Sequence, residues 1–290
     1  MAPAVAGQLA GVIHQSAGWS VTSTLRPEVG FALGTALVEH HLGTDGSFGD
    51  LKQIPASELL DSQLELFSAH YFSPIPDPET LPVSLEDAVA GDAFPVLNLM
   101  LGSNRNESLM YIPEGAVLKN YLEGYFPPET WDDIKAMLGA DLSELAQMDR
   151  LRSAVQYTCP SLALAQATHN AGGAAFVYRF DRVREGFDAI GAYHGAELPY
   201  VFDTHDAWIP TDTVDRQITN ALVDYWLAFL TNGSPNESQS GNVETDHTMW
   251  PTWTQQQQAL VASDVVSSQT HPDAALCDFL RATQVASARH

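Results

Sequence analysis

The sequence predicts an α/β protein built on a mostly parallel sheet. Apolar segments of strand length recur along the chain, at residues 7–18, 94–101, 174–180 and 259–262. Helical patterns separate them, at residues 29–42, 55–63, 113–171 and 221–232. Strands that alternate with helices form a parallel sheet with helices on both faces, because each helix returns the chain to the start of the next strand.

Length and charge limit the kinds of partner. The chain has 290 residues, of which 45% are hydrophobic, so it can form one large domain or two small ones. Its 36 acidic and 13 basic side chains give a net charge of −23, which repels phosphate backbones and anionic bilayers. No run of about 18 apolar residues predicts a transmembrane helix, and residues 1–6 have too short an apolar core for a signal peptide. We therefore expect neither nucleic acid nor a membrane as a partner.

The two cysteines have two possible states. Cys159 and Cys277 are too few for a structural zinc site and too far apart for C-x-x-C redox chemistry. They are either unpaired core thiols or one disulfide, and composition alone favours the thiols.

The first predicted strand ends in small residues, GQLAGVIHQSAG over residues 7–18. Ser16 stands in a pattern similar to the second half of a G-x-S-x-G nucleophile elbow. A working elbow needs glycine two residues before the serine, because its strained turn leaves no room for a side chain, and position 14 is histidine. No other serine of the chain lies in G-x-S-x-G. We expect Ser16 to be a strand-end residue and not a nucleophile.

The second predicted strand leads to a candidate acid. Residues 94–101 form a continuous apolar run, as a buried parallel strand requires. Residues 102–107, GSNRNE, follow as a predicted turn. Ligand-facing side chains of parallel sheets lie just beyond the carboxyl ends of the strands, so Glu107 has a position typical of a site residue.

A helical stretch at residues 113–171 separates this acid from the next strand. Pro127 marks a helix start, Gly139 a stop and Pro160 a break. The strand predicted at 174–180 follows it directly.

The most informative stretch is residues 191–202, GAYHGAELPYVF. His194 stands between small residues, with a carboxylate three positions later at Glu197 and an apolar turn behind it. An imidazole titrates near neutral pH, so it can take a proton from a nucleophile and return it to a leaving group. His194 is therefore a candidate general base. The alternative is a histidine at a helix start whose ring simply finds a partner.

Together these segments resemble the type-B carboxylesterases, the cholinesterase-like branch of the α/β-hydrolases. Residues 191–202 match that family's G-x-x-H-G-x-E-L-P-Y-V-F segment, and residues 102–107 match its G-x-N-x-x-E-G loop, with Ser108 in place of the last glycine. Residues 7–17 match the strand G-L-F-x-x-A-I-x-Q-S-G. The resemblance implies the C-terminal part of an α/β-hydrolase fold, as a single partial domain over residues 1–290. It also implies that residues 113–171 are a helical cap-like insertion that shapes substrate preference.

The resemblance implies roles for particular residues. In this family a glutamate and a histidine serve a serine, so Glu107 and His194 are the expected acid and base of a catalytic triad. A small-molecule ester is the implied substrate, with no cofactor and no metal. Cys159 and Cys277 stand where secreted members carry a disulfide, which implies an oxidising location, secreted or periplasmic.

The match runs over residues 7–279 but covers only the later part of the family fold. In complete members the elbow serine and the glycine-rich oxyanion loop precede the Q-S-G strand, so we expect both in a segment before Met1. The leading hypothesis is the acid-and-base portion of a serine ester hydrolase, inactive by itself because a histidine needs a nucleophile to activate. The alternatives are a non-catalytic binding or adhesion-type member of the family, and a catalytic role for Ser16.

Overall fold

A computed structural model describes residues 7–67, 73–91, 94–236 and 247–283, so the predictions for residues 1–6 lie outside it. Within these residues the core is a sheet in the strand order β1-β2-β3-β4-β5. The strands are β1 (Val12–Gln15), β2 (Leu99–Asn104), β3 (Ala175–Phe180), β4 (Gln258–Ala262) and β5 (Val266–Thr270). The first three pairs are parallel and β4 pairs antiparallel with β5, so the predicted mostly parallel sheet is confirmed. Strand β5 was not predicted, because its residues VSSQT are mostly polar, and none of them is buried.

Helices occupy most of the remaining described chain. The α-helices are α1 (Pro27–Leu42), α2 (Ala56–Leu66), α3 (Leu85–Ala90), α4 (Leu118–Tyr125), α5 (Trp131–Leu138), α6 (Glu144–Ser153), α7 (Cys159–Asn170), α8 (Leu198–Val201), α9 (Thr213–Asn232) and α10 (Ala274–Thr283). Turns of 3-10 helix lie at Gly18–Val21, Asp50–Gln53, Leu109–Tyr111 and Pro128–Thr130, and a π-helical turn at Ala154–Thr158. No helix in these ranges is long and apolar enough to cross a membrane.

Helices cover both faces of the sheet. Alternate residues of a strand point to opposite faces, and β2 and β3 pair residue by residue over their whole length. The cluster on one face joins strand residues to α9, and includes Met100, Phe176, Tyr178, Phe180, Ile218, Leu222 and Trp226. The cluster on the other face joins strand residues to α7, and includes Leu99, Leu101, Ala175, Val177, Leu162, Leu164 and Ala165. The sheet is therefore buried on both sides, which explains the continuous apolar runs in the sequence.

Strand β2 lies later in the chain than predicted. It spans Leu99–Asn104, whereas the sequence analysis placed the strand at 94–101 and a turn from residue 102. The small residues Gly102, Ser103 and Asn104 pair with β3 and are buried. Glycine is needed at position 102 because a Cβ there would lie 2.2 Å from the carbonyl oxygen of Tyr178. The small residues that predicted a turn are therefore the ones that allow β2 to pack closely against β3.

The predicted break at Pro160 is wrong. Helix α6 continues through the π-helical turn at Ala154–Thr158 into α7, so the chain stays helical from residue 144 to residue 170. Pro160 lies just after the π-helical turn, where the α-helical hydrogen-bonding pattern is already interrupted, so the proline does not end the helix.

The region predicted as a cap has two structural roles. Its helices α4, α5 and α6 pack together with α10 around an apolar cluster, which includes Leu118, Leu122, Ile134, Leu138 and Leu151. Helix α7 instead packs on the sheet. A disulfide between Cys159 and Cys277 joins the start of α7 to α10. This bond shows that the two cysteines are paired, a question that the residues alone left open. The boundaries of the cap stay a prediction.

Candidate active site

The candidate acid lies just beyond the carboxyl end of β2. Glu107 is fully buried, and its Oε1 accepts a hydrogen bond of 2.7 Å from the backbone N–H of Asn104. This bond turns the loop back on the strand that precedes it. It leaves the other carboxylate oxygen, Oε2, free to face the loop that carries His194.

The candidate base meets that second oxygen. His194 Nδ1 lies 2.6 Å from Glu107 Oε2, so the structure brings the two predicted site residues together. Carboxylate oxygens accept only, so the proton of this bond is on Nδ1 and the neutral imidazole presents a lone pair at Nε2. The hydrogen bond to Glu107 raises the pKa of His194 above its usual value of 6.5, although burial opposes this shift.

The outer edge of the imidazole faces an aromatic wall and solvent. The His194 side chain is 35% exposed, in contrast to its fully buried partner. Among the described residues Nε2 has no hydrogen-bond partner. The Tyr157 and Tyr111 rings lie 5.3 Å and 6.2 Å from the imidazole, centroid to centroid. This arrangement can accept a proton at Nε2 from a group that enters on the exposed side, while Glu107 stabilises the resulting imidazolium.

The loops of the acid and the base are joined through Asn106. Its backbone N–H donates to the carbonyl of Ala192 at 3.0 Å, and its Oδ1 accepts from the Ala192 N–H at 3.0 Å. Gly191 makes this approach possible. Its φ is +63°, and a Cβ there would lie 2.2 Å from Asn106 Oδ1.

We expect Gly191→Ala to destabilise the protein more than Gly186→Ala. Both glycines have positive φ, +63° and +80°, so alanine is strained by about 1–2 kcal/mol at either position. A Cβ at Gly186 meets nothing within 4 Å, whereas at Gly191 it overlaps Asn106. That overlap adds about 1–3 kcal/mol. Urea unfolding of the two variants measures the difference, and equal losses would contradict the close approach of the two loops.

A second buried carboxylate lies behind the base. Glu197 is 2% exposed, and it accepts hydrogen bonds from Asn104 Nδ2 at 2.5 Å and from Gln15 Nε2 at 3.3 Å. Burial raises the pKa of Glu197, and the two donors oppose this shift. Glu197 stands three residues after His194, but neither it nor Asn104 is among the predicted site residues. The spacing from His194 was the available signal for Glu197, and the asparagine of the G-x-N-x-x-E-G match was the available signal for Asn104.

Ser16 is not part of a triad in this structure. It follows β1, is buried, and its backbone N–H donates to the Gly102 carbonyl at 2.9 Å. Its Oγ has no hydrogen-bond partner among the described residues, and so it makes no bond to His194. Its φ of +47° is unusual for a residue with a side chain and was not predicted.

The loop that carries Glu107 tolerates serine at position 108. There the resemblance predicted glycine, but Ser108 has φ −102°, which any residue adopts. The departure from the family pattern therefore leaves the loop shape intact. No group of three histidine, cysteine, aspartate or glutamate side chains that could hold a metal ion occurs in the described part of the chain.

Comparison with known proteins identifies the family of this chain. A family model described as the carboxylesterase family matches residues 1–280. The para-nitrobenzyl esterase of Bacillus subtilis (strain 168) is 25% identical over 255 residues, which cover 79% of this chain and 48% of that protein. Neuroligin-3 of Mus musculus is 24% identical over 233 residues, which cover 68% of this chain and 28% of that protein.

Solved esterase structures show the same fold. A carboxylesterase of Geobacillus stearothermophilus superposes with a TM-score of 0.73 at 22% identity, covering 97% of this chain and 59% of that one. A PNB esterase gives a TM-score of 0.69 at 22% identity, with coverages of 96% and 59%. The chain thus has an α/β-hydrolase fold and spans about half or less of the length of these two curated relatives. It belongs to the carboxylesterase family.

Proposed function

We propose that this chain supplies the acid and the base of a serine carboxylic-ester hydrolase. The observation that carries the proposal is the bond of 2.6 Å between His194 Nδ1 and the buried Glu107, which leaves Nε2 facing solvent. A histidine with a purely structural role does not require a buried carboxylate partner on one ring nitrogen and an unbonded second nitrogen on its exposed side. This combination is typical of a functional site. The paired side chains favour a hydrolase over the alternative of a non-catalytic binding or adhesion-type member.

In the proposed reaction His194 serves a serine hydroxyl from outside these 290 residues. Nε2 accepts the hydroxyl proton as the oxygen attacks the ester carbonyl, and it then gives the proton to the departing alcohol. Water hydrolyses the acyl-enzyme by the same transfers in reverse order. Throughout, Glu107 fixes the Nδ1 tautomer and stabilises the imidazolium. The absence of G-x-S-x-G from the sequence and the unbonded state of Ser16 support an external nucleophile.

The proposed substrate is a small-molecule ester. Tyr111 and Tyr157 line the open side of the imidazole and provide an apolar, aromatic surface for one half of such a substrate. The name of the Bacillus subtilis relative suggests para-nitrobenzyl esters as the first substrates to assay. The disulfide supports an oxidising location, secreted or periplasmic, and we propose residues 1–290 as one partial domain with residues 113–171 as its cap.

A serine-directed probe tests the proposal. An alkyl fluorophosphonate forms a phosphorus–oxygen bond with an activated serine and releases fluoride. The chain is labelled alone and after co-expression with its upstream coding segment, and mass spectrometry of the digested protein identifies the modified residue. We expect a labelled serine outside the 290 residues, hydrolysis of a para-nitrobenzyl ester, and loss of both in His194→Ala.

Each other outcome supports one alternative. Labelling of Ser16, with hydrolysis abolished in Ser16→Ala, would assign the nucleophile to Ser16. If no combination of chain and upstream segment is labelled and none hydrolyses the ester, the hydrolase proposal is overturned and the binding role remains.

A further inference from the structure

A buried carboxylate outside the acid–base pair holds the loop of Glu107. Asp149 lies on α6 and is 2% exposed. Its Oδ2 accepts a bond of 2.7 Å from Asn106 Nδ2. Its Oδ1 accepts from the Ser108 N–H at 3.2 Å and from Ser153 Oγ at 3.1 Å. The residues on either side of Glu107 are therefore both fixed to one side chain.

The chemistry of this contact requires a carboxylate. Three donors converge on the two oxygens of Asp149, and a carboxylate is the side chain that accepts at both ends. An asparagine would present its NH₂ group to at least one of these donors. Burial raises the pKa of Asp149 and works against this charged acceptor, and no ion pair offsets that cost among the described residues. An apolar side chain at this position would take this acceptor away from all three donors.

The contact continues from Asp149 to the loop of the base. Because Asn106 Nδ2 faces Asp149, the amide has one orientation, and its Oδ1 faces the Ala192 N–H at 3.0 Å. The amide and the backbone bond from Asn106 N–H to the Ala192 carbonyl hold the chain two residues before His194. A reversed amide would set its NH₂ group against the Ala192 N–H.

We propose that Asp149 is a positioning residue that fixes, through Asn106, the loops of Glu107 and His194 relative to each other. It lies on a helix that contributes neither the acid nor the base, and it acts on both. Its catalytic consequence rests on the proposed hydrolase function, whereas its effect on the Glu107–His194 bond does not.

The test measures that bond directly in Asp149→Asn. We expect the Nδ1 proton resonance of His194 to move or broaden in NMR spectra, and the measured pKa of His194 to fall toward 6.5. In the active enzyme we expect kcat to fall by about 10²-fold, since small displacements of reacting groups have effects of this size, with KM nearly unchanged. Asn106→Ser should reproduce both NMR changes, and it decides the question if Asp149→Asn does not fold.

The matched control is Asp273→Asn. Asp273 is also buried, at 5% exposure, but it pairs with Arg150 and Arg179 and not with either loop. We expect this variant to be less stable and to keep the His194 resonance and pKa. Folded Asp149→Asn and Asn106→Ser with an unchanged His194 pKa and Nδ1 resonance would overturn the inference. If the two variants show the expected NMR changes but the parent protein hydrolyses no ester, the result counts against the hydrolase function alone.

Discussion

Replacing His194 by alanine is expected to lower ester hydrolysis by on the order of 10⁴- to 10⁶-fold, because loss of a triad base removes the activation of the nucleophile. Glu107→Gln is expected to cost about 10⁴-fold, since an amide cannot stabilise an imidazolium and favours the wrong tautomer. Steady-state kinetics with a para-nitrobenzyl ester measures both losses. The fall is expected in kcat, because neither side chain has to bind the ester in its ground state.

The pH dependence of the same two residues has a defined sign. The bond to Glu107 raises the pKa of His194 above 6.5, and the neutral imidazole is the base, so activity is lost as the pH falls through this raised pKa. Glu107→Gln should move the acid limb of the profile to lower pH. The contribution of the pair to folding stability runs the other way: it is complete below pH 6.5 and is lost as the pH rises through the raised pKa.

A second histidine–carboxylate pair provides the control. His247 Nε2 lies 2.8 Å from Asp224 Oδ2, a side chain that is 51% exposed and distant in sequence from both site loops. His247→Ala is expected to keep its activity and its pH profile. Comparable losses in His194→Ala and His247→Ala would point to general destabilisation and against a base at His194.

Removing the disulfide is expected to cause the largest loss of stability. The bond closes a loop with a sequence separation of 118 residues, for which the chain-entropy model gives about 4–5 kcal/mol. The double variant Cys159→Ala/Cys277→Ala should therefore unfold at a much lower urea concentration than the parent protein. Because Cys277 is fully buried and packs on the sheet cluster, lost packing adds to the effect.

Reduction separates the two contributions. The parent protein unfolded in the presence of a reductant loses the cross-link but keeps both sulfur atoms in the core. We expect the reduced protein to lose most of the free energy of unfolding that the double variant loses. A loss below about 1 kcal/mol in the variant would mean that the cross-link contributes little to the stability of this fold.

The sequence predicted which two side chains meet better than it predicted the strand that precedes one of them. Glu107 and His194 each stand in a local motif with an order that the fold requires, so they were found without any contact information. The end of β2 was missed because Gly102, Ser103 and Asn104 form a turn in most contexts. Here they are strand residues, since β3 packs too closely for larger side chains.

Asp149 could not be predicted for a different reason. Its function depends on donors from residues 106, 108 and 153, which only the fold brings to one point. In the sequence it is one acid among 36 in the chain. Local patterns identify residues that carry chemistry, whereas residues that hold them in place are defined by contacts between distant segments.

The π-helical turn at Ala154–Thr158 limits how the length of this segment can vary. Such a turn accommodates one residue more than an α-helical path. Deleting one residue within the turn is expected to restore a regular α-helix and to leave α6 and α7 in nearly the same relative orientation. A deletion between Asp149 and the turn has no such reserve and would rotate Asp149 against α7 by roughly 100°. The sheet and the disulfide anchor α7, so the rotation would fall on α6 and carry Asp149 away from Asn106. The chain can therefore lose one residue at this turn, whereas the number of residues between Asp149 and the turn is fixed by the contact with Asn106.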